Sequence, residues 1–367
     1  MITRALRGIL LAAFLPGAFL AAPIATAATF PTLTGAAPLV IAHRGASGYL
    51  TEHTLASYEL AMQMGADLIE PDLELTRDGH LIAFHDASLL NDSASGPALT
   101  DVAERFAPRN GGYLVQDFDL DEIQSLTTFP RLTAGTEYPG FTPSSDNPFR
   151  IPTFGEVLAL LNDYNAANGT NIGIYPEAKT PNRTEMNEKI VAELAAAGFT
   201  SREQPVYIQS FSYDALRDIL SFQNDAGTDM RQVALGGAFQ QDGVFGIFEF
   251  GANLFHDFDQ LGDFADGLGV FIGNFQGQAL SAEWVAAAHE AGFEVHGWTF
   301  RPTTLEAAFL LTQPYIDMGL DGFFTDFTDL TRQVIQANQI VPIPLPASGL
   351  VLIGGLGALL ALRRRRR

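Results

Sequence analysis

The stretch from His43 to Asp86, HRGASGYLTEHTLASYELAMQMGADLIEPDLELTRDGHLIAFHD, decides how the 367-residue chain is read. It begins where an apolar run, PLVIAHRG, ends. A helical pattern over Leu55–Met64 follows Thr54, a good N-cap, and stops at Gly65. Two strand-like runs come next, Leu68–Leu75 and Leu81–Phe84, and the second closes on His85-Asp86. A strand, a helix and a returning strand in this order form a βαβ unit, which pairs in parallel.

The rhythm continues outward. Further strand candidates are Leu39–Ala42 before the stretch, then Ile172–Pro176, Val206–Gln209, Gln232–Leu235, Val270–Gly273, Phe293–Thr299 and Gly322–Thr325. Helical patterns over Glu185–Ala197 and Ala282–Ala291 end at Gly198 and Gly292, where a left-handed residue closes a helix. Alternating strands and helices over this length predict an α/β fold, a (β/α)8 TIM barrel. Nine strand candidates exceed the eight positions, so one is surplus. Residues from about 87 to 152 break the rhythm and read as a rim insertion after the third strand. Within it, Asp117, Asp119 and Asp121 imitate a Ca²⁺ loop. Glu122 stands where that loop needs glycine and Thr128 where it needs glutamate, so a capped helix with an acidic first turn is the better reading.

Both ends read as address labels. Residues 1–27 carry Arg4 and Arg7, an apolar run and Ala25-Thr26-Ala27, the pattern of a secretory signal peptide. Residues 341–367 run from a Pro-rich stop through an apolar segment to Arg363–Arg367, a sorting or membrane-anchor tail. Together these predict an exported protein, periplasmic or at the cell surface, held at least transiently by a C-terminal helix, with the main domain over 28–340. The two labels hold seven of the 21 basic residues and no acidic one. The body therefore carries 14 basic against 42 acidic residues, a net −28. That field excludes a nucleic-acid partner. With no cysteine, thiol chemistry and disulfides are excluded too.

The chemistry sits at the strand tips. In a strand, Glu70 and Asp72 share one face while Ile69, Pro71 and Leu73 take the other. Two carboxylates side by side repel unless a cation lies between them. Oxygen-only donors point to a hard ion, Ca²⁺ or Mg²⁺. Glu177 and Lys179 share a face by the same period, one suited to complete the shell and the other to neutralise an anion. His43 and His85 each follow an apolar run, the right placement for acid–base work at a barrel's loop face, and Arg44 offers a planar fork for phosphate. The remaining histidines read as structural or solvated, except His53, whose loop passes near His43.

These motifs, His-Arg-Gly, Glu-His-Thr, Gly-Ala-Asp-x-Ile-Glu-Pro-Asp-Leu and His-Asp, then Tyr175-Pro176-Glu177-x-Lys179, Gln209-Ser210-Phe211, Trp298-Thr299 and Asp321–Asp326, closely resemble the glycerophosphodiester phosphodiesterases, nearest the secreted type, over about residues 38–332. The resemblance implies metal-dependent hydrolysis of a glycerophosphodiester to glycerol 3-phosphate and an alcohol. By it, His43 and His85 are the general acid/base pair, and Glu70, Asp72 and Glu177 hold one divalent cation. Arg44 and Lys179 bind the phosphate, Phe211 and Trp298 wall the substrate pocket, and Glu52 supports them from behind. Thr51, Phe84 and Thr328 depart from the family's usual residues, and none of the three is in the catalytic set. The tail, Ile343–Ser348 with its apolar run and arginines, resembles a PEP-CTERM sorting signal of the VPLPA form, which implies an exosortase-type processing peptidase as a partner. Two alternatives stay open: a non-catalytic surface or matrix barrel that kept its metal site, and a phosphodiesterase directed at lysophospholipids.

Overall fold

The computed structural model describes residues 29–91, 97–131, 134–179 and 183–339. Strand β1 (Leu39–His43) leads into α1 (Leu55–Gln63), where the Thr54 hydroxyl accepts from the Ser57 amide. The chain returns through β2 (Leu68–Glu70) and β3 (Asp72–Leu75), one barrel strand interrupted at Pro71. β4 (Leu81–Ala83) then folds back antiparallel on β3. This is the surplus ninth candidate: Asp78-Gly79 turns the chain too tightly for a crossover.

The insertion follows β4, the third strand in chain order, and so lies between the second and third positions of the barrel. It holds the short helices α2 (Val102–Arg105) and α3 (Leu120–Gln124). α3 is the acidic capped helix that was expected: Asp119 and Glu122 close a reciprocal capping box. Phe84, Leu89, Leu99, Val102, Phe118 and Ile123 are among the side chains of a small core under the insertion.

After α4 (Phe154–Asn168) come β5 (Gly173–Ile174) and β6 (Glu177–Ala178), again one strand, interrupted at Tyr175-Pro176. The two prolines cost donors only. The Pro71 carbonyl accepts from Glu177 and the Pro176 carbonyl from Gln209, both at 2.9 Å, so the ladder carries on. α5 (Thr184–Ala196), β7 (Tyr207–Ser210), α6 (Tyr213–Ala226) and β8 (Arg231–Gln241) continue the alternation. β8 outruns the barrel and forms an antiparallel hairpin with β9 (Val244–Glu249), which pairs with β10 (Leu254–Asp257). The last units are β11 (Gly267–Phe271), α7 (Ala282–Glu290), β12 (Glu294–Phe300), α8 (Leu305–Met318), β13 (Gly322–Thr325) and α9 (Thr328–Gln339).

The pairing closes on itself. β1 is parallel to both β13 and β2. From β2 and β3 the ring passes through β5 and β6 to β7, β8, β11, β12 and back to β13. With each interrupted strand counted once, that is the eight-position TIM barrel. Ile41, Leu68, Tyr175, Tyr207, Val233 and Phe324 form one buried cluster on its strands. Gly65, Gly198 and Gly292 follow α1, α5 and α7 with φ of 88°, 96° and 92°, the left-handed stops that the sequence predicts.

Gly173 answers to a different constraint, close approach. A Cβ there would sit 1.9 Å from the Pro205 carbonyl oxygen. Gly173→Ala is expected to destabilise the fold by about 2–3 kcal/mol through overpacking. Urea unfolding checks this, and an unchanged midpoint would mean that the Pro205 backbone gives way freely.

The expected location is corrected. Among the described residues, no helix is long and apolar enough to cross a membrane. The leader over 1–27 and the tail over 341–367, on which the exported and anchored placement rested, lie outside the described residues. That placement, with its C-terminal helix and processing peptidase, is withdrawn.

Candidate active site

Register brings the polar groups together. His43 stands opposite Glu70 in the β1–β2 pair, Asp72 opposite Glu177 in β3–β6, and Glu177 opposite Gln209 in β6–β7. Neighbouring strands thus present these side chains at one level, at the carboxyl end of the barrel. Glu70, Asp72 and Glu177 are buried, and each offers an oxygen within 4.8 Å of the others. A cavity of about 240 Å³ opens beside them. His43, Arg44, Glu70, His85, Glu177, Lys179, Gln209, Phe211 and Trp298 all contribute to its lining, along with Arg301.

Each carboxylate is oriented by a neighbour. Glu70 accepts from the Arg44 backbone amide at 2.7 Å and from Gln209 Nε2 at 3.1 Å. Asp72 takes His53 Nε2 at 2.8 Å and has Arg44 Nε 3.2 Å away. His53 must therefore carry its proton on Nε2, and its Nδ1 accepts from the Tyr58 hydroxyl at 2.8 Å. Glu177 pairs with Lys179 Nζ at 3.1 Å. Glu52, behind them, takes Arg44 Nη1 at 3.2 Å on both oxygens.

The charges do not balance. Burial, then repulsion from Asp72 and Glu177, lifts the Glu70 pKa far above the usual carboxylate range. Burial raises Glu177 to about 8, with Lys179 opposing and Asp72 adding to the rise. Burial also works against Asp72, yet Lys179, His85 and Arg44 together hold it well below its ordinary value. Lys179 stays cationic because Glu177 and Asp72 outweigh its burial. Three buried carboxyl groups, two of which resist ionising without a counter-charge, fit a hard divalent cation. Gln209 Oε1 is buried beside them and has no hydrogen-bond partner.

The two histidines flank the triad in matching fashion. His43 Nδ1 donates to Asp326 Oδ1 at 2.6 Å, and His85 Nδ1 to Asp86 Oδ1 at 2.5 Å. With Nδ1 committed, Nε2 of each ring is the free nitrogen. Burial, helped by Arg44, lowers the His43 pKa against the pull of Asp326. Burial lowers His85 to about 4, against Asp72 and Asp86. Both rings are neutral at pH 7, and each has a basic nitrogen. Asp326 is held at about 2: burial pushes up, and His43 and Arg301 win.

Every residue singled out from the sequence for the site lies in or directly behind this cavity. The Phe211 and Trp298 rings meet edge to face, 5.5 Å apart, on one wall. His80 is exposed, while His256, His289 and His296 lean on Glu249, Asp321 and Tyr175, the structural roles expected of them. Sequence reasoning did not assign Asp326, Gln209, Arg131 or Arg301. Asp326 and Gln209 stood inside quoted motifs, at strand ends, which is the available signal. Arg131 lies in the aperiodic insertion and carried none.

Residues 43–330 match the model of the Glycerophosphoryl diester phosphodiesterase family. A glycerophosphodiester phosphodiesterase of Haemophilus influenzae is 30% identical over 331 residues, covering 79% of this chain and 88% of its own length. That of Bacillus subtilis is 29% identical over 324 residues, covering 86% and 92%. Among solved structures, an Oleispira antarctica phosphodiesterase in complex with its product sn-glycerol-3-phosphate has a TM-score of 0.58 at 22% identity, covering 83% of this chain and 99% of its own. A glycerophosphodiester phosphodiesterase of Agrobacterium tumefaciens has a TM-score of 0.52 at 18% identity, covering 82% and 99%. The two structures speak for the fold, and the family model and the Haemophilus relative for kinship: the chain belongs to the glycerophosphoryl diester phosphodiesterase family.

Proposed function

We propose that the protein hydrolyses glycerophosphodiesters to glycerol 3-phosphate and a free alcohol, with a divalent cation held by Glu70, Asp72 and Glu177. One observation supports this reading above the others: Glu70 and Glu177 of a buried carboxylate triad and two aspartate-backed histidines line one cavity. A non-catalytic barrel would have no use for two neutral imidazoles that each leave Nε2 unprotonated beside the triad. Ca²⁺ is preferred over Mg²⁺ because three protein carboxylates exceed the one or two that Mg²⁺ usually takes.

The cation would polarise the phosphoryl oxygens and lower the pKa of the attacking hydroxyl. Arg44 and Lys179 hold the phosphate's negative oxygens, and Phe211 and Trp298 exclude water from the organic part of the substrate. One of His43 and His85 takes the proton of the nucleophile at Nε2. The other, once protonated, hands its proton to the departing alkoxide as the phosphorus–oxygen bond breaks. The nucleophile is water, or a hydroxyl of the substrate itself, in which case the alcohol leaves a cyclic phosphate that water then opens to glycerol 3-phosphate with the two histidines exchanging roles.

The test is release of glycerol 3-phosphate from glycerophosphocholine and glycerophosphoethanolamine, with Ca²⁺, with Mg²⁺ and with chelator. Cation-dependent release is expected, with the higher rate in Ca²⁺. No release with either cation would reject the reading.

A further inference from the structure

Each cavity histidine heads a three-membered chain that ends in an arginine. For His43, Asp326 receives Nδ1 on one carboxylate oxygen and Arg301 Nε on the other, at 2.6 and 2.7 Å. For His85, one oxygen of Asp86 receives both His85 Nδ1, at 2.5 Å, and Arg131 Nη2, at 2.6 Å. The two arginines have unrelated origins. Arg301 directly follows a barrel strand, whereas Arg131 belongs to the rim insertion.

We propose that Arg131 is a positioning residue: it holds the Asp86 carboxylate ionised and aimed, and through it sets the tautomer of His85. The inference rests on the acid–base reading of His85. Asp86 is only 3% exposed, and a buried carboxylate stays charged only beside a cation or strong donors. Were Asp86 protonated, its O–H would donate to His85 Nδ1. The ring proton would then sit on Nε2, and the free nitrogen would turn from a base into a donor. A guanidinium 2.6 Å from Asp86 opposes that switch.

Arg131 is itself held on the far side. Its Nε donates to Glu52 Oε1 at 2.7 Å, and Glu52 also binds Arg44. Backbone bonds fasten the insertion to the same loop: the Thr51 amide donates to the Gly135 carbonyl at 3.0 Å, and the Gly135 amide to Tyr49 at 2.9 Å. One planar fork thus joins the loop after β1 to the loop after β4. A lysine, with a single point charge, cannot reach both carboxylates in that geometry. The insertion is in this way a working part of the site.

The experiment compares Arg131→Ala, Arg131→Lys, Asp86→Asn, the double variant Arg131→Ala/Asp86→Asn and His85→Ala, on glycerophosphocholine with saturating Ca²⁺. Arg131→Ala is expected to lower kcat about 10- to 100-fold with KM within about twofold. Arg131→Lys should recover little of this, and added guanidinium ion a measurable part. In the Asp86→Asn background, removing Arg131 should cost less than about twofold, since the effect runs through Asp86. Arg131→Met, which keeps the apolar stem, stands in if the alanine variant does not fold. Wild-type kcat in the Arg131 variants alongside an impaired His85→Ala would overturn the inference alone, as would multiplying effects in the double variant. An unimpaired His85→Ala would overturn the acid–base reading and this inference with it.

Discussion

Replacing His85 with alanine is expected to lower turnover by about 10²–10⁴, the span for loss of a general acid or base. KM should change little, because Arg44 and Lys179, not His85, are the residues proposed to hold the phosphate. His43→Ala should fall in the same range, and both together should cost far less than the product of the single losses, since one proton-transfer apparatus is already broken. The fold should survive: His85 lies just past β4 beside the cavity, with nearly a third of its side chain exposed. Steady-state kinetics on glycerophosphocholine with thermal melting of each variant checks this. A His85→Ala protein of near-native turnover would show that Nε2 moves no proton in the reaction.

The second large effect concerns the carboxylate triad. Glu177→Gln removes one of three anionic donors and is expected to weaken divalent-cation binding by more than 10²-fold, with activity at micromolar Ca²⁺ falling to the level of the chelated wild type. Titration calorimetry reads the affinity without recourse to turnover. Glu177, with its pKa lifted to about 8, keeps a proton near neutral pH until a cation displaces it. Cation affinity in the wild type should therefore climb with pH between about 6 and 8, by up to about tenfold per unit for each proton released, Glu70 adding to Glu177. Cation at about 100 times its Kd should stabilise the wild type by about 2.7 kcal/mol, visible as several degrees in Tm, and Glu177→Gln should lose most of that gain. Equal affinity in the two proteins would remove Glu177 from the cation site.

Much of this was legible because period and position speak directly. The period of two put Glu70 and Asp72 on one face, and placement after an apolar run put His43 and His85 at strand ends. The Gly stops of α1, α5 and α7 marked where each helix hands over to a strand. Less was legible where contacts join distant segments. Asp326 reaches His43 across 283 residues, through closure of the ring by β13 and β1, which no local pattern encodes. The hairpin that β8 forms with β9 beyond Leu235, and the pairing of β9 with β10, were not legible because these segments show little apolar–polar alternation. Arg131 escaped because the insertion takes its shape from its own small core, not from a repeating face.

The loop after β1 holds Arg44 and His53 at φ of 60° and 55°, left-handed values that cost a residue with a Cβ roughly 1 kcal/mol or more each. Their partners, Glu52, Glu70 and Asp72 for Arg44 and Asp72 and Tyr58 for His53, keep them there. Glycine at either position would relax the backbone and take away the side chain that anchors Asp72. The backbone would gain roughly 1 kcal/mol, while the buried Asp72 carboxylate left without a partner would cost about 3–5 kcal/mol. The strained loop is therefore held by the charges it serves: heat alone would not favour glycine at Arg44 or His53 while Glu70 and Asp72 stay buried around them.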